Sequence, residues 1–161
     1  MTTIDGVIKP RRTPEPLRLL LESADSSGEL GVVEMQMPPR AGGPPLHVHP
    51  THGEGFYVLE GQLAFQVGSE VVTAGPGTWV FKPRNEWHTF WNASETPCEI
   101  IEIISPAGFE NFFRGLAEVY ATEGGPDLAQ FADLCERFAV DMDPTSVPGL
   151  CERFGVTHPL A

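Results

Sequence analysis

Residues 42–54 read Gly42-Gly43-Pro44-Pro45-Leu46-His47-Val48-His49-Pro50-Thr51-His52-Gly53-Glu54, and they hold three of the chain's 5 histidines. Side chains alternate with period two along a strand, so His47 and His49 point to one face of an extended segment over 45–49. Glu54 opens the next strand-like run, Glu54-Gly55-Phe56-Tyr57-Val58-Leu59. Its carboxylate joins the two imidazoles if the two strands are neighbours across the Pro50–Gly53 connection. His88 begins a further alternation, with His88, Phe90 and Asn92 on the face opposite Trp87, Thr89 and Trp91. Three imidazoles and one carboxylate then converge inside a barrel. That donor set suits one divalent transition metal, Fe, Ni, Mn, Co, Cu or Zn, whereas magnesium or calcium would call for oxygen ligands. Four protein ligands leave positions open for water, dioxygen or substrate, which points to an enzyme.

Around this stretch the apolar runs are short and rich in Val, Ile, Phe and Trp. They predict strands near 16–22, 29–37, 45–49, 54–60, 63–67, 70–73, 78–81, 87–92 and 98–104. Turn signals such as Glu60-Gly61, Gly68-Ser69 and Gly75-Pro76-Gly77 separate them. After Ser105-Pro106 the period becomes helical. Phe109, Phe112, Phe113, Leu116, Val119 and Tyr120 form one stripe, with Ser105 as the expected N-cap and Gly124-Gly125 as the stop. A second stripe runs from Leu128 to Phe138, and a short third helix from Ser146 or Val147 to Phe154 stops at Gly155. The expected organisation is a mainly β barrel over residues 1–106 and an α-helical extension over 107–161 that covers the barrel's outside or a second subunit. One heptapeptide recurs, Leu134-Cys135-Glu136-Arg137-Phe138-Ala139-Val140 and Leu150-Cys151-Glu152-Arg153-Phe154-Gly155-Val156, and reads as two similar helix ends.

The spacing resembles that of the cupin family. Gly42, His47-Val48-His49, Glu54 and Gly61 resemble the first cupin motif, although Gly42 lies one residue closer to His47 than the motif asks. Gly77, Pro83, His88 and Asn92 resemble the second, with Asn85 where the motif has its second glycine; asparagine tolerates the positive φ required there. The resemblance implies a jelly-roll β-barrel with the C-terminal helices appended, and His47, His49, Glu54 and His88 as metal ligands. A single barrel followed by Ser105-Pro106-Ala107-Gly108-Phe109-Glu110 and amphipathic helices is similar to the bacterial quercetinase-like monocupins, the flavonol 2,4-dioxygenases. That resemblance implies a metal-dependent dioxygenase acting on a small aromatic or enolic compound, with dioxygen as co-substrate and Glu54 as both ligand and catalytic base. The alternatives are a non-oxidative metal enzyme (isomerase, lyase or cyclase) and a small-molecule-binding cupin. Phe56, Val58, Phe65, Val67, Phe81, Phe90 and Ile104 are the candidates for an apolar substrate wall.

Composition narrows the partners. The 22 acidic and 10 basic residues give a net charge of -12, divided equally between 1–106 and 107–161. No basic stripe is available for nucleic acid or an anionic membrane surface. The N-terminal residues show neither a basic nor an apolar signal region, and 3 cysteines without CxxC spacing suit reduced thiols, so a cytoplasmic protein is expected. A homodimer is expected through the outer face of a sheet, with the segment 6–18 reaching across. His52 is expected at the rim as a loop hydrogen-bonder whose loss leaves most activity. His158 is read as a tail residue, Asn92 as a turn-orienting group behind the site, and Tyr57 and Trp79 as packed strand aromatics.

Overall fold

The computed structural model describes residues 17–121 and 127–158. The expected Gly124-Gly125 stop and most of the expected dimer-reaching segment lie outside them. All nine expected strands are present within two residues at each end: β1 (Leu17–Leu21), β2 (Gly31–Met37), β4 (Leu46–Val48), β5 (Gly53–Glu60), β6 (Leu63–Val67), β7 (Glu70–Ala74), β8 (Trp79–Lys82), β9 (His88–Asn92) and β10 (Cys98–Ser105). Two more were not expected, β3 (Ala41–Gly42) and β11 (Asp141–Asp143). The helices are α1 (Glu110–Tyr120), α2 (Leu128–Arg137) and α3 (Ser146–Phe154). Among the described residues, no helix is long and apolar enough to cross a membrane.

The strands form two antiparallel sheets, ordered β1-β2-β10-β5-β8 and β11-β4-β9-β6-β7, with β3 on β9. Their facing sides pack as a jelly roll whose interior holds Phe56, Val58, Leu63, Phe65, Phe90 and Ile100. Alternation decides which residues face in. In β10, Cys98, Ile100, Glu102 and Ile104 are buried while Glu99, Ile101 and Ile103 are only half-buried. In β8 the inward pair is Val80 and Lys82, leaving Trp79 and Phe81 on the outer face at 55% and 66% exposure. Asn85 takes φ 61° at the second-motif turn, as its side chain permits. Asn92 donates through Nδ2 to the carbonyls of Met37, Pro38 and Thr96 and accepts from Ser94, so it staples the turn after β9.

The start of α1 differs from expectation. Ser105 is still paired in the β10 ladder, opposite Gly53, so it does not cap a helix. The helix begins at Glu110, whose buried carboxylate accepts from the backbone N–H of Gly108 (2.6 Å) and of Ser23 (2.7 Å), fastening the β1–β2 connection to the helix start. An acid in the first turn also suits the helix dipole. From there α1 lies across the open end of the barrel: Phe109, Phe112 and Val119 pack with Leu19, Val33 and Ile104 from the inner sheet faces and with Leu134 of α2. The outer barrel surface is taken instead by α3, where Phe154 stacks on Trp91 at 4.1 Å.

The recurring heptapeptide is a helix stop used twice. Ala139 (φ 53°) and Gly155 (φ 63°) occupy the same left-handed position. Val140 N–H returns to Cys135 O and Val156 N–H to Cys151 O, the bond across six residues of a Schellman motif. Arg137 and Arg153 each lie over the following phenylalanine ring. At the other end of α2, Asp127 accepts from the N–H groups of Ala129 and Gln130. Asp127→Ala should lower stability by about 1 kcal/mol, read by thermal unfolding, while Asp127→Asn should cost much less.

Candidate metal centre and its cavity

The four expected ligands come together, but not through adjacent strands. β4 belongs to one sheet and β5 to the other, so the carboxylate of Glu54 reaches the histidines across the barrel interior and not across the Pro50–Gly53 connection. His47 and His88 are direct partners on β4 and β9, with ring centroids 4.2 Å apart, and His49, one residue beyond β4, lies 4.8 Å from His88. Glu54 Oε1 is 3.3 Å from His49 Nε2, and Oε2 is 3.7 Å from His88 Nε2. All four side chains are at most 5% exposed.

The tautomers follow from the backbone. His47 Nδ1 lies 3.0 Å from Pro45 O, His49 Nδ1 3.0 Å from His52 O, and His88 Nδ1 2.8 Å from Glu86 O. A carbonyl only accepts, so each Nδ1 carries the hydrogen and each Nε2 presents its lone pair. The donor atoms of the three histidines lie within 4.8 Å of one another. The Nε2 atoms of His49 and His88 are buried without a hydrogen bond, which is costly unless something else is bound there. Outer hydrogen bonds that fix the ring and raise the basicity of the free nitrogen are the usual support of a metal-ligating histidine. The residues therefore fit a divalent transition metal.

Three further groups complete the centre. Lys82 is opposite Glu54 in the β5–β8 register and forms a buried ion pair with Oε2. Its Nζ also lies 3.9 Å from Glu102 Oε1 and 3.9 Å from the centroid of the Phe56 ring. His52 is not at the rim. It is buried, donates from Nε2 to Glu54 Oε1 at 3.2 Å, takes a hydrogen bond from the Thr51 hydroxyl on Nδ1 at 2.9 Å, and has the His49 and Phe109 rings 3.8 and 4.2 Å from its own. Lys82 and Glu102 escape a reading of the sequence because the apolar Trp79 and Phe81 draw attention to the wrong face of β8. The signal available was a charged residue of each sign, one on β8 and one in the otherwise apolar row Cys98, Ile100, Ile104.

Burial pushes the His47 imidazole down to about 4 and the His88 imidazole down to about 2, and the Lys82 ammonium adds to both shifts. Burial would raise Glu54, but the Lys82 ammonium, with the hydrogen bond from His52, holds it well below the usual carboxylate range. Burial, reinforced by the neighbouring Glu54, pushes Glu102 the other way. At neutral pH His47 and His88 are thus uncharged beside an ionised carboxylate. An unfolded His47 takes up a proton near 6.5 and the folded one only near 4, so the unfolded state binds more protons between these values. The metal-free protein should therefore lose stability as pH falls through that window, with a share of about 3 kcal/mol from His47. Urea denaturation with chelator present checks this: His47→Gln should gain that much on the wild type between pH 6.5 and 4, and a constant difference would contradict it.

Above the centre lies a cavity of about 300 Å³. Its wall departs from expectation. Phe90 lines it, but Phe56, Val58 and Phe65 are packed into the core beneath, Ile104 belongs to the cluster under α1, and Phe81 faces solvent. The wall is built by Leu17, Met35 and Met37 from the barrel and by Phe109, Phe112, Phe113, Leu116, Tyr120 and Phe131 from the helices. His158 also lines the cavity, where it packs beside Gly42, so it is more than a tail residue.

Residues 33–104 match the cupin domain family, and the jelly roll with its C-terminal helices is the fold expected of it. Fold and match put this stretch in the cupin superfamily. A stretch of 74 residues, 46% of this chain, is 32% identical to quercetin 2,3-dioxygenase of Bacillus subtilis (strain 168) and spans 22% of that protein's length. Among solved structures, KdgF from Halomonas sp. is similar at a TM-score of 0.52 and 19% identity, covering 63% of this chain and 89% of the other. A predicted oxalate decarboxylase from Thermotoga maritima reaches a TM-score of 0.53 at 23% identity, covering 66% and 99%. These two likenesses concern the fold.

Proposed function

We propose that the chain is a metal-dependent dioxygenase of a small aromatic or enolic compound, with one divalent transition metal held by His47, His49, Glu54 and His88. What supports it most is the set of three imidazoles with Nδ1–H tied to backbone carbonyls and Nε2 converging beside Glu54, of which His47 and Glu54 line an apolar cavity. The partial likeness to quercetin 2,3-dioxygenase supports the oxygenase branch. When bound, the metal would supply a Lewis acid that acidifies a substrate hydroxyl and a site where dioxygen can react. Glu54, kept ionised by Lys82, accepts the hydroxyl proton. His52 holds the carboxylate in place through Oε1. The aromatic wall excludes water and orients a flat ring.

The buried Lys82 and Glu102 favour one second reading, a non-oxidative isomerase, lyase or cyclase in which these groups move protons to and from an enolic substrate. Metal analysis followed by oxygen-electrode assays over flavonols, catechols and diketones decides. Stoichiometric oxygen uptake with substrate loss is expected, and turnover without uptake would move the protein to the second reading. We also propose a homodimer through the outer sheet face where Trp79 and Phe81 are exposed. Sedimentation at micromolar concentration should give the mass of two chains.

A further inference from the structure

We propose that Lys82 is the oxyanion-binding residue of the cavity, and that the substrate enters as an anion carrying two oxygens on one carbon or on adjacent carbons, one for the metal and one for the Lys82 ammonium. The inference rests on the metal reading above and narrows its substrate class.

The donor count comes first. An ammonium has three N–H groups. In this protein Glu54 Oε2 occupies one, Glu102 Oε1 at 3.9 Å is beyond hydrogen-bond distance, and Nζ otherwise meets the ring faces of Phe56 and Phe90. Lys82 is 1% exposed yet lines the cavity, so a donor is available there without competition from bulk water.

Charge balance points the same way. Glu54, Lys82 and Glu102 are the carboxyl and ammonium side chains lining the cavity, beside the imidazoles of His47 and His158. A divalent cation and the ammonium together outweigh Glu54 by two charges, and by one if Glu102 is ionised as well. The floor is positive in either state. An uncompensated charge in a dry, apolar cavity is unfavourable, so an anion is the ligand that completes it. The two oxygens must be close together, because the two poles are: one oxygen, Glu54 Oε2, both pairs with Lys82 and lies 3.7 Å from His88 Nε2. The rest of the wall is mostly aromatic, methionine and leucine side chains, with Pro44, Pro45 and His158 on one side, which suits a one- or two-ring body.

The test uses the full chain loaded with zinc at pH 7, salicylate as an aromatic anion with two oxygen groups, and salicylamide as its uncharged counterpart. Calorimetry should show salicylate binding at least tenfold tighter than salicylamide. Lys82→Met should remove at least tenfold of the salicylate affinity, leave salicylamide within twofold and retain one zinc per chain. Lys82→Arg should restore most of the loss. Because Lys82→Met leaves Glu54 and Glu102 facing each other and could fail to fold, the comparison of the two ligands on the wild type stands alone as a test. Equal affinities there, absence of salicylate binding, or a folded Lys82→Met that binds salicylate like the wild type each overturns the inference while zinc stays bound. A wild type that holds no zinc overturns the metal reading itself, and this inference with it.

Discussion

His88→Ala is expected to leave purification without its metal and with turnover below about one-hundredth of the wild type. Partners that merely support a metal ligand are typically worth about 10- to 100-fold in affinity or activity, and a ligand in direct contact is worth more. His88 has no substitute: His47 and His49 already commit their Nε2 atoms to the same point, and Asn92, next but one along the same face, is held by the turn after β9. Circular dichroism should show the barrel intact, since His88 lies at the end of β9 and the Phe90 packing remains. Glu54→Ala should be as severe and should also leave Lys82 without its ion-pair partner. His52→Ala, which a rim position would make nearly silent, should cost about 10- to 100-fold, because the hydrogen bond to Glu54 Oε1 orients that carboxylate. Metal content and oxygen uptake measured on all three decide the matter. A His88→Ala chain that keeps one metal per subunit would mean that the ligand set is wrong.

Phe56→Ala should cost about 3–5 kcal/mol, enough to bring a domain of this size close to unfolding at room temperature. The ring is fully buried, meets Phe65 edge-on at 5.4 Å and Phe90 at 5.2 Å, and supports the Lys82 ammonium at 3.9 Å. No neighbour can close the space, since the facing strands are fixed by their ladders. Phe56→Leu separates the two roles. It keeps most of the packing, so it should cost about 1.5 kcal/mol or less, but it removes the aromatic face under Lys82. Urea titration measures the first effect. If alanine and leucine were equally damaging, the cation over the ring and not the packing would dominate.

Most of the barrel was legible because period-two alternation and turn residues act locally. The nine strands and the three-histidine cluster needed nothing beyond spacing. What escaped depends on pairing between distant segments. β11 is too short and too polar to stand out, and it exists because β4 offers an edge at Leu46–Val48. The partnership of Lys82 with Glu54 required the register of β8 on β5. The wall of the cavity was misassigned because a stripe of phenylalanines on α1 has the same pattern whether it covers the outside of a sheet or plugs the mouth of a barrel. The choice is made by Glu110, a single buried carboxylate that no helical period reveals.

The two helix stops deliver the chain back to the sheet that carries the histidines. After Val140 comes β11, with Met142 opposite His47, and after Val156 comes Thr157, bridged to Ala41. On a ribosome, β4 and its neighbour therefore emerge roughly a hundred residues before the segments that close their border. Until then the border is an open template for pairing with other chains. Maturation of the centre is thus postponed to late in synthesis, and a nascent polypeptide halted before residue 140 would carry its imidazoles on an unfinished, association-prone edge.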